Sequence, residues 1–420
     1  MADVRPLKAV RYNGKSDLSN LVTQPYDKIS PELKKTYRLR NSNNLVNVLL
    51  PDEKEGKTKY QISGEVFHKW LEKGILKRDD NPAFYPYRQT FEVNGETHQR
   101  SGFVGLVKVE PYSKKVIFPH EKTLSGPKAD RIALLKEGRV HYGKIFLLYK
   151  DDGKSQKVID EAMKENTIVD FKDDFEVKNE LWNLTDKNKI HELNAAMADK
   201  QLFIADGHHR YETSLAYAQE NPNDISAQYT MAMFVNINSP LIVLPTHRVV
   251  RGVENYTPAA LSGKLEKYFD VSTVAGIDET INATKNSEGI TIGIFDGENY
   301  LVAKLKDKNI MNEFCAEHSE AWRSLDVAVL HSLIIEKCLG ITQDKVAKES
   351  AVSYHRKPEG AVKLVESGKA NCAFFLKATS PAQVCEVALN GEVMPQKSTD
   401  FYPKLLSGLT MYALDCADEK

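Results

Sequence analysis

The stretch Leu202-Phe-Ile-Ala-Asp-Gly-His-His-Arg210 decides the fold prediction. Its first four residues form a short apolar run, which is typical of a buried strand. The polar residues from Asp206 to His209 then predict a turn, and the apolar residues Leu215 and Ala216 predict a helix after it. A strand, a glycine turn and a helix in this order present the backbone N–H groups of the helix start to an anion.

Cap and turn signals elsewhere predict both helices and strands. Ser30-Pro31-Glu32 combines a hydroxyl N-cap, a proline at the first helical position and an acidic first turn, so a helix should begin there. Residues 84–109 have the alternation of strands and contain Asn94-Gly95, which predicts a β-hairpin. Residues 231–235 and 241–244 predict two further strands that pair with each other. The chain is therefore expected to have an α+β fold of mixed sheets with packed helices.

The bulk composition narrows the class of protein. A chain of 420 residues exceeds what one hydrophobic core usually serves, so two or three domains are expected. Its 57 Lys and Arg balance 58 Asp and Glu, so the net charge gives no reason to expect a nucleic acid or an anionic membrane as the main partner. Because the sequence has neither a long apolar run nor a signal-like N-terminus, the protein is expected to stay in the cytoplasm.

The residues after the apolar strand are of the kinds that bind anions or transfer protons. Gly207 allows close approach of the backbone, and Arg210 offers a guanidinium fork for phosphate or carboxylate. Asp206 is a candidate proton acceptor or cation ligand, and one of His208 and His209 is expected to contact a ligand. In the alternative, structural interpretation, Asp206 caps the helix, one histidine is a core residue and Arg210 pairs with a carboxylate.

Other polar segments carry similar side chains. Tyr26 and Asp27 lie in a short loop just before a helix start. The stretch from Phe118 to Arg131 is predicted to be a polar loop before a helix that carries Ile132. The further candidates in polar segments are His120, Glu121, Lys128, Arg131, His247, Arg248, and Lys397, Ser398 and Thr399 together with Lys404. The sequence leaves open whether these residues meet at one cleft.

Four common signatures are absent from the sequence. It contains no G-x-x-x-x-G-K-[ST], no G-x-G-x-x-G, no H-E-x-x-H and no G-x-S-x-G. The common kinase, Rossmann, zincin and hydrolase classes are therefore disfavoured.

At Phe203-Ile-Ala-Asp-Gly-His-His-Arg-Tyr-Glu-Thr213 the chain resembles a mostly uncharacterised prokaryotic family, the DUF1015-type family. Further matching blocks are Gln24-Pro-Tyr-Asp27, Pro119-His-Glu121 with Lys128-Ala-Asp-Arg131, Leu244-Pro-Thr-His-Arg248 and Met394-Pro-Gln-Lys-Ser-Thr399. That family is distantly similar to the ParB-like and sulfiredoxin-like superfamily, whose members bind nucleotide phosphates with a G-x-x-R turn between a strand and a helix. Sulfiredoxins carry a cysteine in this turn where the chain has a histidine, so sulfinic-acid reduction is not expected.

The resemblance implies a ParB/sulfiredoxin-like core with a large insertion and a C-terminal α/β extension. Residues 1–82 would form the N-terminal part of the core, and residues 83–180 an inserted β-rich segment. Residues 181–250 would form the core segment with the Asp-Gly-His-His-Arg turn, and residues 251–420 the C-terminal α/β domain.

Similarity to free-serine kinases within the superfamily implies phosphoryl transfer. The catalytic residues are then expected to be Asp27, Asp206, His208 and His209. Phosphate or nucleotide binding is expected of Gly207, Arg210, Lys128, Arg131, His247, Arg248, Lys397, Ser398 and Thr399. Substrate binding is expected of Tyr26, His120, Glu121, Tyr211 and Glu212. The expected cofactors are Mg2+ and ATP or ADP as co-substrate, while the metal ligands stay open.

The expected function is a phosphotransferase between a nucleotide and a small hydroxylated metabolite, with serine or phosphoserine as the first candidate. A phosphatase or nucleotidase in the same pocket and a non-catalytic nucleotide- or metabolite-binding regulator are the alternatives. A ParB-like nuclease or DNA binder is a third, which the charge balance disfavours. The expected partners are a small-molecule substrate and a nucleotide, with no membrane or nucleic acid, and a homodimer is a candidate assembly.

Overall fold

The computed structural model describes residues 1–14, 17–54, 56–123 and 125–414, and it divides the chain into two compact units. The first unit comprises Met1–Pro119, Thr123–Leu241 and Pro403–Lys420. The second comprises His120–Lys122 and Ile242–Tyr402. The four-segment division expected from the sequence stays a prediction.

A mixed sheet of nine strands lies at the centre of the described part of the first unit. Its strands in spatial order are Ile117–Phe118, Leu202–Asp206, Ile145–Tyr149, Tyr229–Asn236, Glu96–Lys108, Tyr85–Val93, Lys178–Leu181 and Val169–Lys172, and Val4–Arg5 also pairs with Glu96–Lys108. Two small ladders join Val10–Tyr12 to Leu76–Arg78 and Val140–His141 to Tyr412–Ala413. The hairpin predicted at Asn94-Gly95 is confirmed, and both turn residues have the positive φ that this turn needs, 53° and 80°.

The pairing predicted between residues 231–235 and 241–244 is wrong. All eight residues of Tyr229–Asn236 are buried, and this strand pairs with Glu96–Lys108 on one edge and Ile145–Tyr149 on the other. A strand buried on both faces is typical of a central position in a sheet, so it has no edge left for its chain neighbour. Ile242–Val243 instead pairs with Phe401–Tyr402 in the second unit.

Three helices of the first unit, among those that the structure describes with their caps, begin at the capping side chains of Ser30, Thr58 and Asp186. The helices of this unit are Pro31–Arg40, Val46–Leu49, Lys59–Glu72, Ser125–Gly138, Lys154–Ala162, Lys187–Met197 and His208–Glu220, with short 3-10 turns at Leu18–Asn20, Tyr26–Lys28, Tyr112–Lys114 and Ser226–Gln228. The Ser30 side chain accepts a hydrogen bond from the Leu33 N–H, which confirms the predicted start of the first of these helices.

The predicted polar loop up to Arg131 is wrong in its second half. The helix expected to begin near Ile132 already begins at Ser125, so Lys128 and Arg131 are helical residues. Pro127 falls within the first turn of the helix, where a proline does not interrupt the hydrogen-bond ladder.

The C-terminal segment of the described chain, residues 403–414, packs within the first unit, and we call it the C-terminal strap. Ser407 and Thr23 exchange two backbone hydrogen bonds, and so do Met411 and Val10. Most residues of the strap are buried although it contains little regular structure. The first unit is therefore built from both ends of the chain.

The second unit contains an antiparallel six-stranded sheet. Its strands in spatial order are Phe269–Val274, Tyr300–Leu305, Thr291–Phe295, Cys372–Phe375, His247–Val250 and Val352–His355. Its helices are Pro258–Leu265, Ile277–Asn286, Ile310–Phe314, Glu320–Arg323, Asp326–Val329, Gln343–Ala347, Pro358–Glu366 and Pro381–Leu389, and Leu330–Cys338 is a π-helix. The mixture of helices with mixed and antiparallel sheets confirms the α+β class. None of the helices in the described residues is both long enough and apolar enough to cross a membrane.

Candidate functional site

The Asp-Gly-His-His-Arg turn joins a buried strand of the large sheet to a helix of thirteen residues. The strand ends at Asp206, Gly207 has a φ of +97°, and the helix begins at His208. Glycine is the residue that adopts this φ without strain, so it allows the helix to begin directly after the strand. Gly207 occupies the N-cap position and has no side chain that could cap the helix, and a helix start presents backbone N–H groups from which an anion can accept hydrogen bonds.

Two hydrogen-bond acceptors hold the Arg210 guanidinium in one orientation, and it packs closely against two glycines. Its Nη2 atom lies 2.6 Å from Asp206 Oδ2, and its Nη1 atom donates to the backbone carbonyl of Lys144. A Cβ atom on Gly207 would lie 3.0 Å from Nη2, and one on Gly143 would lie 3.4 Å from Nη1. A side chain at position 207 would therefore crowd the guanidinium, whereas a Cβ atom at position 143 would make an ordinary contact with it.

Asp206 is paired with a cation on each oxygen. Its Oδ2 atom accepts from Arg210, and its Oδ1 atom lies 2.9 Å from Nζ of Lys404 in the C-terminal strap. Burial alone would raise the pKa of Asp206, but Lys404, Arg210 and Lys28 hold it well below its usual range. The carboxylate is therefore ionised at neutral pH, and the ion pair with Arg210 is the one that the structural interpretation anticipated.

A small cavity lies next to this turn within the first unit. Its walls include Tyr26, Arg131, Gly143, Arg210, Thr213 and Ser407. The cavity volume is about 60 Å³. Because pockets for drug-sized ligands usually measure roughly 300–1,000 Å³, this one has room for a few water molecules or one small anion, but not for a nucleoside.

Arg131 and Tyr26 both line the cavity and contact each other. The Arg131 guanidinium lies 4.1 Å from the centre of the Tyr26 ring and is ion-paired with Asp130. Asp130 also accepts from Lys59 at 2.7 Å and from Tyr60 at 3.0 Å. Burial would raise the pKa of Asp130, but Lys59 and Arg131 lower it to about 2, so it is a fixed negative charge behind Arg131.

The remaining predicted residues of the turn and its surroundings differ in how far they are buried. Asp27 is exposed in the 3-10 turn that also contains Tyr26, whereas His208 is buried and His209 is half-buried. Tyr211 lies in the core, where its hydroxyl donates to the Glu110 carbonyl at 2.7 Å. This contact leaves Tyr211 with a packing role, so we do not include it in the proposed site.

Glu212 of the helix His208–Glu220 lies close to Lys128 of the helix Ser125–Gly138. The Glu212 carboxylate accepts from the Thr123 hydroxyl at 2.6 Å and lies 3.6 Å from Lys128 Nζ. The pair is partly exposed. Both side chains thus have partners within the first unit that do not depend on a ligand.

The second unit collects a separate group of predicted residues around Arg248. This guanidinium is 1 % exposed and donates to the carbonyls of Thr246, Gln396 and Lys397. It also lies 5.5 Å from the centre of the Tyr354 ring. Arg248 therefore fixes the loop that carries Lys397.

His120 and His247 are buried in the second unit, and both have hydrogen-bond partners there. His120 Nε2 lies 2.8 Å from the Thr399 hydroxyl, and the Leu376 N–H donates to His247 Nδ1 at 3.4 Å. Burial lowers the pKa of His247 to about 4, so this imidazole is neutral at pH 7.

Three other predicted residues complete the group of the second unit. Lys397 is exposed at a positive φ of 55°, and the Ser398 hydroxyl donates to the Pro395 carbonyl. Glu121 forms a parallel bridge with Met394. Each unit thus contains some of the predicted residues.

The sequence-based interpretation missed Lys144 and Ser407 as parts of the group in the first unit, and it grouped Lys404 with Lys397, Ser398 and Thr399, which belong to the second unit. Lys144 carried a detectable signal, because it directly precedes the buried strand Ile145–Tyr149, where a charged residue is unusual. Nothing local indicates that the strap runs beside the turn, since Lys404 and Asp206 are 198 residues apart.

Comparisons with known proteins give one family and several remote structures. The family model described as "Protein of unknown function (DUF1015)" matches residues 4–328. A comparison with curated proteins finds no match.

Among solved structures, a free serine kinase in complex with AMP is 16% identical, with 72% of this chain and 91% of that chain covered and a TM-score of 0.36. SbnI with a C-terminal truncation from Staphylococcus aureus is 12% identical, with 75% and 90% covered and a TM-score of 0.38. A conserved hypothetical protein from Pyrococcus furiosus is 14% identical, with 74% and 94% covered and a TM-score of 0.37. Similarities of this size are too remote to assign a role to any residue of this chain.

Proposed function

From the premise that the chain belongs to the DUF1015 family, we propose that it is a phosphotransferase acting between a nucleotide and a small hydroxylated metabolite. The observation that carries the proposal is the setting of Arg210. A preoriented guanidinium, a helix start and a cavity the size of one small anion meet at a single turn. Together these features are suited to binding one phosphate group.

In the proposed mechanism the phosphoryl group lies in the cavity. Arg210 and the first N–H groups of the helix His208–Glu220 bind its oxygens, and Arg131 faces it from the opposite wall. Phosphoryl transfer depends mainly on positioning and on neutralising charge on these oxygens, which fixed cations do without reorganisation. The nucleoside and the metabolite stay outside the cavity, because its volume of about 60 Å³ excludes them.

The two candidate carboxylates differ in what they can do. Asp206 holds Arg210 and Lys404 through its two oxygens, so we propose that it positions these cations and does not accept a proton. Asp27 is exposed beside Tyr26 and is the carboxylate that we propose as the base for the acceptor hydroxyl. His209, half-buried at the helix start, is proposed to contact the phosphate.

The site does not fit a resident Mg2+ ion at Asp206. Mg2+ needs carboxylate oxygens that are available for coordination, and those of Asp206 both accept from cations. Mg2+ therefore enters the proposal only as the counter-ion of ATP or ADP. Serine and phosphoserine stay the first candidate substrates on the strength of the sequence resemblance, and the cytoplasmic location and the homodimer stay predictions.

Turnover of an Arg210 variant tests the proposal. Purified protein is incubated with Mg2+, labelled ATP or ADP and a panel of hydroxylated metabolites, and the labelled products are separated by chromatography. Arg210→Ala should reduce transfer by about 30- to 1,000-fold, which corresponds to roughly 2–4 kcal/mol of lost transition-state stabilisation.

A control variant shows whether losing an arginine ion pair elsewhere in the protein would also reduce turnover. Arg88 forms a bidentate pair with Glu180 at 2.9 and 3.0 Å and is not part of the cavity wall, so Arg88→Ala should keep its turnover. Unchanged turnover in folded Arg210→Ala protein would exclude the proposed role. Release of inorganic phosphate alone would favour a phosphatase, and binding without turnover would favour a regulator.

A further inference from the structure

Lys144 is a buried amine with very few partners. It is 1 % exposed, and its Nζ atom donates to the Leu406 carbonyl at 2.8 Å. Within the part of the chain that the structure describes, no carboxylate oxygen lies within 4.0 Å of that atom. An ammonium group carries three N–H donors, so this one contact leaves most of its hydrogen-bonding capacity unused.

Lys144 lies directly behind the wall of the cavity. Gly143, the residue before it, lines the cavity, and so does Ser407, the residue after its hydrogen-bond acceptor Leu406. Arg210 lines the cavity too, and it donates to the backbone carbonyl of Lys144 itself. The backbone of Lys144 and the carbonyl that its amine contacts are therefore each next to residues that line the cavity.

The other charged and titratable groups on the elements around Lys144 leave its charge uncompensated. They are Arg100, His141, Asp206, Arg210 and Lys404. The one carboxylate among them, Asp206, lies opposite Phe146 on the neighbouring strand and is already shared between Arg210 and Lys404. His141 is neutral above pH 7, since burial lowers its pKa to about 4.

We propose that Lys144 is a proton-linked anion-binding residue, which becomes protonated as a phosphate dianion enters the cavity beside it. This inference rests on the proposed function, because it takes the cavity at Arg210 to be the phosphate site. It adds the charge state of the substrate: the site takes a phosphomonoester dianion together with about one proton. A buried ammonium without a counter-charge is costly, and an entering dianion supplies that charge.

The pKa of Lys144 agrees with this geometry. Burial lowers the pKa of Lys144 to about 7, and the Arg210 guanidinium adds to the effect. Above that pH the amine is largely neutral without an anion. An adjacent dianion favours the charged form and raises the pKa again.

Calorimetry with inorganic sulfate tests the proposal. Sulfate stays a dianion throughout the neutral and alkaline range, so any proton taken up on binding goes to the protein. Sulfate is titrated into the full chain at pH 7.5, 8.25 and 9, each in two buffers that differ in ionisation enthalpy. The proposal predicts proton uptake that approaches one per sulfate and an affinity that falls by up to about tenfold per pH unit.

Two variants locate the proton. Lys144→Met should bind sulfate more weakly and without proton uptake, whereas Lys136→Met should behave as the wild type, because Lys136 is half exposed and pairs with Glu220 at 2.6 Å. If Lys144→Met does not fold, the wild-type pH series alone still decides the matter. Sulfate that binds without proton uptake and with one affinity from pH 7.5 to 9 would overturn the role of Lys144 and leave the phosphate site standing. No binding of sulfate or phosphate at any of these pH values would overturn both.

Discussion

Lys404 and Asp206 form an ion pair of 2.9 Å although 198 residues separate them. Two buried side chains hold the strap beside the turn: Arg100 donates to the Pro403 carbonyl at 2.7 Å, and Gln89 donates to the Lys404 carbonyl at 3.3 Å. The strap thus supplies a cation to the turn, and the geometry of the proposed phosphate site depends on the C-terminal end of the described chain.

Removing this cation should destabilise the first unit. Lys404 and Asp206 are only 8 % and 22 % exposed, so Lys404→Met leaves one carboxylate oxygen without its partner in a largely buried place. We expect a loss of about 1–3 kcal/mol in the free energy of unfolding, measured by urea denaturation. The double variant Asp206→Asn with Lys404→Met should lose less than the sum of the two single variants. Additive losses would show that the two side chains do not interact.

Gly207 should be sensitive to a single added methyl group. Gly207→Ala forces a residue with a Cβ atom to φ +97° and places that atom 3.0–3.1 Å from the Arg210 guanidinium, so it should displace Arg210 and weaken phosphate binding. Gly153 is a matched control: it has φ +93° at the start of another helix, and a Cβ atom there would meet nothing within 4 Å. Both variants should lose roughly 1–2 kcal/mol of stability, but Gly207→Ala alone should lose phosphate affinity in calorimetry. Equal affinities would mean that the position of Arg210 does not depend on Gly207.

The sequence predicted local structure well where local signals decide it. The cap at Ser30 starts a helix as expected, and Asn94-Gly95 joins the strands of the predicted hairpin. The turn at Asp206 also lies between a strand and a helix as predicted. In each case the decisive residues are neighbours in the chain, so their pattern is visible in the sequence.

Relationships between distant segments could not be predicted. The central strand Tyr229–Asn236 is apolar along its whole length, and such a strand can pair with many partners equally well. Lys404 is the second cation that pairs with Asp206, and no local pattern in the sequence indicates that their two segments lie together. The helix start at Ser125 was missed because glycine and proline follow it directly, and this pair is typical of loops.

The stability of the protein should depend on the charge of Lys144 at alkaline pH. Its pKa is about 7 in the folded chain, against an ordinary value of 10.5, so between these pH values the unfolded chain binds more protons. The free energy of unfolding therefore rises with pH between these values, by up to about 1.4 kcal/mol per pH unit, and this stabilisation is lost as the pH falls toward 7. Urea denaturation at pH 7.5, 8.25 and 9 should show this slope in the wild type, and the slope of Lys144→Met should be smaller by that amount. Parallel pH dependences would contradict the low pKa.

In the second unit, Arg248 should stabilise the loop that carries Lys397. Arg248→Met removes a buried donor to three carbonyls, so amide hydrogen exchange should speed up in residues 394–399, with a loss of about 1–3 kcal/mol. Arg251 is a matched control, because it donates to the Ser350 and Glu349 carbonyls from an exposed position. Arg251→Met should leave the exchange of the 394–399 loop unchanged. Slow exchange in that loop of Arg248→Met would show that other contacts fix it.

A phosphorus NMR time course tests the central claim most directly. Purified protein is mixed with Mg2+, ATP or ADP, and serine, phosphoserine or related hydroxylated metabolites. The proposal predicts a new phosphomonoester signal, or transfer of phosphate from phosphoserine to the nucleotide, and a strong reduction of either in Arg210→Ala. A spectrum that stays unchanged across the whole panel, or one that shows inorganic phosphate as the sole product, would contradict it.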